Sequence, residues 1–157
     1  MRYWLMKSEP DCFSINDLQN RPNQIEPWDG VRNYQARNML RDDAQVGDKV
    51  FFYHSNCDLP GIVGIAEIVK AGYPDSTAFD PEHEHFDTDS DPAKPRWYRV
   101  DVKFVKAFRR TISLKELQDA AMSNPHILDD WALLKKGNRL SVMPVSQAQW
   151  DFVLSLA

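Results

Sequence analysis

The stretch Trp97–Phe108, WYRVDVKFVKAF, carries the clearest alternation of apolar and charged side chains in the chain. On an extended backbone, Tyr98, Val100, Val102 and Phe104 point one way, and Arg99, Asp101 and Lys103 the other. One face of this strand is therefore buried and the other wet, as in an antiparallel sheet packed on one side. A strand from a doubly wound parallel sheet would be apolar on both faces.

The neighbouring segments agree. KVFFYHS (Lys49–Ser55) is aromatic and β-branched, and GIVGIAEIV (Gly61–Val69) reads as a strand with glycines where another backbone comes close. YWLMK (Tyr3–Lys7) reads as a short buried strand ended by Ser-Glu-Pro, and RLSVMPV (Arg139–Val145) alternates Leu140 and Val142 against Ser141 and Met143. Helices are signalled by their caps: Ser14 with Asp17, Ser113 with Glu116, and Ser146 with Gln149, each three positions apart. Helical spacing also runs through Tyr34–Leu40. A long Pro- and Asp-rich loop, Pro74–Pro95, has the character of a lid or binding loop. Strands and helices interleave irregularly, so the expected class is α+β with a curved, mainly antiparallel sheet.

With 157 residues the chain is expected to form one domain, residues 1–157, burying about two-thirds of its unfolded surface. No apolar run approaches the ~20 residues of a membrane span. The amino terminus reaches Lys7 and Glu9 too soon for a signal-peptide core, which predicts a cytoplasmic protein. Cys12 and Cys57 form no CxxC and are expected to be reduced. The net charge of −4 argues against bulk coating of nucleic acid through phosphates; any such partner must be held by local chemistry.

Several motifs bear on chemistry. The segment DPEHEHFDTDSD places His83, His85, Asp87, Asp89 and Asp91 at period two. As a calcium loop from Asp87 it fails, with Pro92 where Gly is needed and Tyr98 where Glu is needed. As a zinc site, HxH lacks an identified third ligand, so no metal and no cofactor is expected. His54 and Ser55 are adjacent on a strand and point to opposite faces, so they cannot act as base and nucleophile together. Gly61 and Gly64 belong to neither a dinucleotide fingerprint nor a P-loop.

What remains is a set of polar and aromatic groups at element ends. They are Lys7 and Ser8; Trp28, Arg32, Asn33 and Tyr34; Tyr53, His54, Ser55 and Asn56; and Ser141 and Met143. The second group lies in WDGVRNYQARN (Trp28–Asn38), where Asp29-Gly30 turns the chain sharply. Together they have the inventory of a base-sized slot: an aromatic face for stacking, and amide, hydroxyl and backbone groups for reading an edge.

The segments YWLMKSEPDCFSINDL, WDGVRNYQARN, VFFYHSN, GIVGIAEIV, AFDP…DP…RWYRVDV and NRLSVMPV, in this order, resemble the EVE domain family across residues 3 to 145. The resemblance implies a PUA-like fold, a curved barrel-like sheet with helices around it, similar to YTH and ASCH domains. It also implies capture of a modified, flipped base of DNA or RNA in an aromatic pocket of the domain. On that reading Trp28 would stack, Asn33 and Ser55 would meet the polar edge, Arg32 or Arg37 a phosphate, and Lys7 would supply positive charge. The expected function is a non-catalytic nucleic-acid-binding module. The alternative is an enzyme acting on a planar, nucleotide-like metabolite, with Ser55, His54 and Lys7 as its polar groups.

Overall fold

The alternating stretch lies in the longest strand of the molecule, whose computed structural model describes residues 1–157. Six strands form one sheet: β1 (Tyr3–Ser8), β2 (Ile25–Pro27), β3 (Lys49–His54), β4 (Gly61–Pro74), β5 (Tyr98–Ser113) and β6 (Val142–Val145). Their spatial order is β2-β5-β4-β3-β1-β6. All neighbours are antiparallel except β1 and β3, which run parallel in the register Tyr3↔Lys49 to Ser8↔His54. The sheet is thus mixed and open, and the fold is α+β and PUA-like.

Register shifts along β4 and β5 bend the central hairpin. Gly61 and Gly64 sit at that bend, where a Cβ would run into the carbonyls of Ile112 and Lys106 respectively. The alternation of β5 holds at its start: Val100 and Val102 are fully buried and Lys103 is exposed.

The parallel pair β1/β3 requires a crossover, and that crossover builds one side of the molecule. After β1 the chain forms α1 (Ile15–Gln19), whose Ser14 and Asp17 make the expected reciprocal cap. It then reaches the far edge as β2, turns at Asp29-Gly30, and returns through α2 (Tyr34–Asn38) and a wider turn, Met39–Asp43. Ile15, Leu18, Trp28, Val31, Ala36 and Leu40 from this path pack on Trp4, Met6, Phe52, Val100 and Val102 of the sheet.

The opposite face is closed by α3 (Leu114–Ser123), α4 (Pro125–Leu128) and α5 (Gln147–Leu156). Leu117, Leu128, Trp131, Trp150 and Val153 pack there on Leu5, Phe51, Ile62 and Met143. Ser146 and Gln149 make a full capping box on α5. Ser113 caps α3 through the Glu116 amide, but the Glu116 carboxylate pairs with Arg110 rather than returning to the cap. No helix is long and apolar enough to cross a membrane.

The long loop joins β4 to β5. Its aspartates are used locally: Asp80, Asp87 and Asp91 each accept from the amide two residues on. Asp87 also takes the Trp97 indole N–H at 2.6 Å, and that bond, ahead of the others, holds its carboxyl below the usual range. The acidic character of this loop therefore reflects turn chemistry.

Candidate functional site

A cleft of about 590 Å³ opens where the ends of β1 and β2 meet the long loop. Of the residues expected at a slot, Lys7, Ser8 and Trp28 line it. Trp28 follows β2, its amide donating to Val100 O at 2.7 Å. Its ring stands edge-on to Phe52 (5.3 Å, 86°) and Phe13 (6.4 Å, 84°). With only 7% of its surface exposed, Trp28 forms the floor of the cleft beside Phe13 rather than a free-standing platform.

The walls are polar. Glu9, Glu26, Asp29 and Glu84 supply carboxylates, against the cations Lys7 and Arg21. Burial pushes the Glu26 carboxyl up, and the Arg21 guanidinium at 3.2 Å works against that rise. Arg21 also lies over the Phe13 ring, 5.2 Å from its centroid. Burial lowers the Lys7 ammonium from its ordinary value; its Nζ sits 5.6 Å over the Tyr53 ring. The backbone of Lys7 is fixed by donation to Ser141 O at 2.8 Å, and Ser8 Oγ donates to Phe13 O at 2.6 Å.

The remaining expected residues sit elsewhere. Tyr53 and Met143 are buried on the opposite face of the sheet, one position out of phase with Phe52 and Val142. Asn33 caps α2 through the Ala36 amide, and Tyr34, 53% exposed, stacks on Trp97 at 4.9 Å. Ser141 serves through its carbonyl, and Ser55 donates its amide to Ser8 O. Asn56, at φ 51°, reaches Glu9 at the cleft's edge, 3.3 Å away.

Both arginines expected at a phosphate are engaged internally. Arg32 donates to Asp75, to His85 O at 2.6 Å and to Thr77. Arg37 donates to Arg96 O and Asn38. His54 Nε2 accepts the Ile15 amide at the start of α1, and burial lowers its basicity. In the neutral ring Nδ1 must then carry the proton, so His54 is a donor there and not a base.

The residue that organises this side, Asp75, was not anticipated. Its side chain is wholly buried and receives the Gly30 amide (2.9 Å), Arg32 (3.0 Å) and both the amide and hydroxyl of Thr77. Burial alone would raise its carboxyl, but bonds from Thr77, Gly30 and Arg32 outweigh that and hold it below the ordinary range. The local signal was the Asp75-Ser-Thr77 cap, which anchors the turn Ser76–Phe79. Gly30, at φ 79°, gives the tight turn and leaves room for the His85 ring, whose atoms lie 2.6–2.8 Å from where a Cβ would stand. Asp75 thereby ties the long loop to the WDGVR turn and shapes the cleft.

A family model described as EVE domain matches residues 2–156. The chain belongs to the EVE domain family. Among curated relatives, human thymocyte nuclear protein 1 is 46% identical over 166 residues, covering 98% of this chain and 73% of that protein. A Pseudomonas syringae protein superposes with a TM-score of 0.90 at 49% identity, covering 98% of both chains. The crystal structure of human THYN1 protein in complex with 5-methylcytosine-containing DNA superposes with a TM-score of 0.94 at 45% identity. It covers 99% of this chain and 97% of that one. These matches bear out the fold and the family expected from the sequence.

Proposed function

We propose that this EVE domain is a non-catalytic module that binds DNA and takes a modified base, of the 5-methylcytosine class, into the cleft beside Trp28. The observation that carries the reading is the cleft itself: an aromatic floor with carboxylates on its walls. A carboxylate is the acceptor suited to the exocyclic amino group of cytosine. The human relative crystallised with 5-methylcytosine-containing DNA supports the same choice.

Charge supports a base rather than the backbone as the cleft's occupant. Four carboxylates against two cations repel phosphate. The phosphates would instead meet Lys135, Lys136 and Arg139, exposed in the loop that leads to Ser141, whose carbonyl holds Lys7. Extruding a base costs a few kcal/mol, so mismatched or single-stranded sites should be preferred. A methyl group fully buried against Trp28 and Phe13 gains about 0.8 kcal/mol, roughly a fourfold preference.

The competing reading, an enzyme on a planar metabolite, would need His54 as its base, and the lone pair of its Nε2 is already engaged by Ile15. The test is titration of oligonucleotides carrying one 5-methylcytosine or cytosine, in single-stranded, mismatched and paired contexts. Glu9→Gln and Glu84→Gln should each weaken the methylated complex about tenfold while leaving the melting temperature in place. Equal binding of every oligonucleotide by wild type and both variants would overturn the reading.

A further inference from the structure

The sequence offered His83-x-His85 as two possible ligands without a third. The fold supplies it from fifty-odd residues away. Asp29, in the turn after Trp28, is brought against the two histidines, so that one ligand atom of each lies within 4.8 Å of the others. All three line the cleft. We propose that Asp29, His83 and His85 form a binding site for a divalent transition-metal ion of the zinc class on the cleft wall.

The spacing suits such an ion. Asp29 Oδ1 and His85 Nδ1 are 3.4 Å apart. Two ligands held at about 2.1 Å in tetrahedral geometry are separated by about 3.4 Å. His85 Nδ1 is buried and has no hydrogen-bond partner, which leaves a lone pair or proton unanswered there. Its ring is fixed by the bare face of Gly30 and by the Arg32 bond to its carbonyl. His83 is held close by the His85 amide, which donates to its Nδ1 at 3.0 Å; an ion competes with that amide for the ring. The two rings lie 5.0 Å apart on the same wall.

Arg99 approaches the other carboxylate oxygen of Asp29, at 4.0 Å, and so leaves Oδ1 free. Two imidazoles and one carboxylate favour zinc, cobalt or nickel over calcium or magnesium, which prefer oxygen ligands. Three protein ligands also leave a coordination position for water or a cleft ligand.

The test uses the tag-free full chain and needs no nucleic acid, so its outcome is separate from that of the DNA titration. Zn²⁺ titrated against a chromophoric chelator should fill one site per chain, and Co²⁺ should give the visible bands of a low-coordinate nitrogen–oxygen site. His83→Gln, His85→Gln and Asp29→Asn should each weaken Zn²⁺ binding at least about tenfold, with unchanged circular dichroism. Cys12→Ser should bind as wild type does. The proposal is overturned if wild type shows no saturable site, if the histidine variants retain it, or if Cys12→Ser alone abolishes it.

Discussion

Both faces of the sheet bury an apolar core, but only one of them is finished by polar loops. On one side three helices cover Phe51 and its neighbours with apolar surface, and the rings of Tyr3, Trp150 and Phe51 stack in series at 4.4 and 3.8 Å. On the other, two short helices, a turn and a long loop do the covering, and polar groups hold the loop and the turn in place. Asp75 gathers the Gly30 amide, Arg32 and Thr77; Asp87 holds Trp97. Asp48 performs a similar task at the other end of that side, accepting from Trp4 Nε1, Arg2 N and Gln45 N. Apolar closure leaves no room for a ligand. Closure by hydrogen-bonded loops leaves a cleft whose walls already carry the groups that recognise one.

This contrast predicts that stability and binding separate by face. The largest loss of stability is expected from Trp150→Ala, which removes the central ring of the stack. Truncation of a buried Trp costs about 3–5 kcal/mol, or roughly 10 °C in melting temperature at this chain length. Oligonucleotide affinity measured well below that melting point should be unchanged. A parallel loss of affinity would mean that the two faces are not independent.

Asp75→Ala should come next and should damage both properties. It leaves the Arg32 guanidinium, itself a quarter exposed, without its carboxylate, at about 3 kcal/mol. It also frees the loop that carries His83 and His85. Thermal melting and oligonucleotide titration of the same preparation check the two effects together.

Acid titration refines the point. The Asp75 carboxyl is held below its ordinary value in the folded chain, so its contribution is fully present above the unfolded pKa. It is lost as pH falls through the folded one. Below about pH 4 the stability of wild type should therefore drop more steeply than that of Asp75→Asn, which has no such group to protonate. Denaturant midpoints across the acid range measure the difference. Equal slopes would assign the acid sensitivity to other carboxylates.

The mildest perturbation is of surface charge. Replacing Lys135, Lys136 and Arg139 with Ala should leave melting unchanged and weaken DNA binding equally for methylated and unmethylated sites. The slope of log affinity against log salt should flatten by up to about 2–3. A selective loss for the methylated site would place that loop at the base instead of the phosphates.

The legible parts of the fold were those whose signals are local. The alternation of Tyr98–Phe104 located β5, and Ser14, Ser113 and Ser146 marked three helix starts because a cap lies within three residues of its partner. Lys7, Ser8 and Trp28 were legible as cleft residues because an aromatic or polar group at a strand end has few places to go. Tyr53 and Met143 illustrate the opposite case. Their strands were identified, but which face of a strand turns toward a cleft depends on which elements cover each side. Arg32 had the look of a phosphate ligand until the fold delivered Asp75, forty-three residues later, into its donors.

By itself, then, the sequence determined the class of fold, the starts of three helices and of several strands, the turn at Asp29-Gly30 and the family. Tertiary structure alone decided that β1 and β3 run parallel, that Asp75 ties the long loop to that turn, and that Asp29 stands beside His83 and His85. The physical reason is range. Caps, turns and alternation act over two to four residues, whereas a cleft is made where chain segments far apart in sequence are pressed together by burial of the strands beneath them.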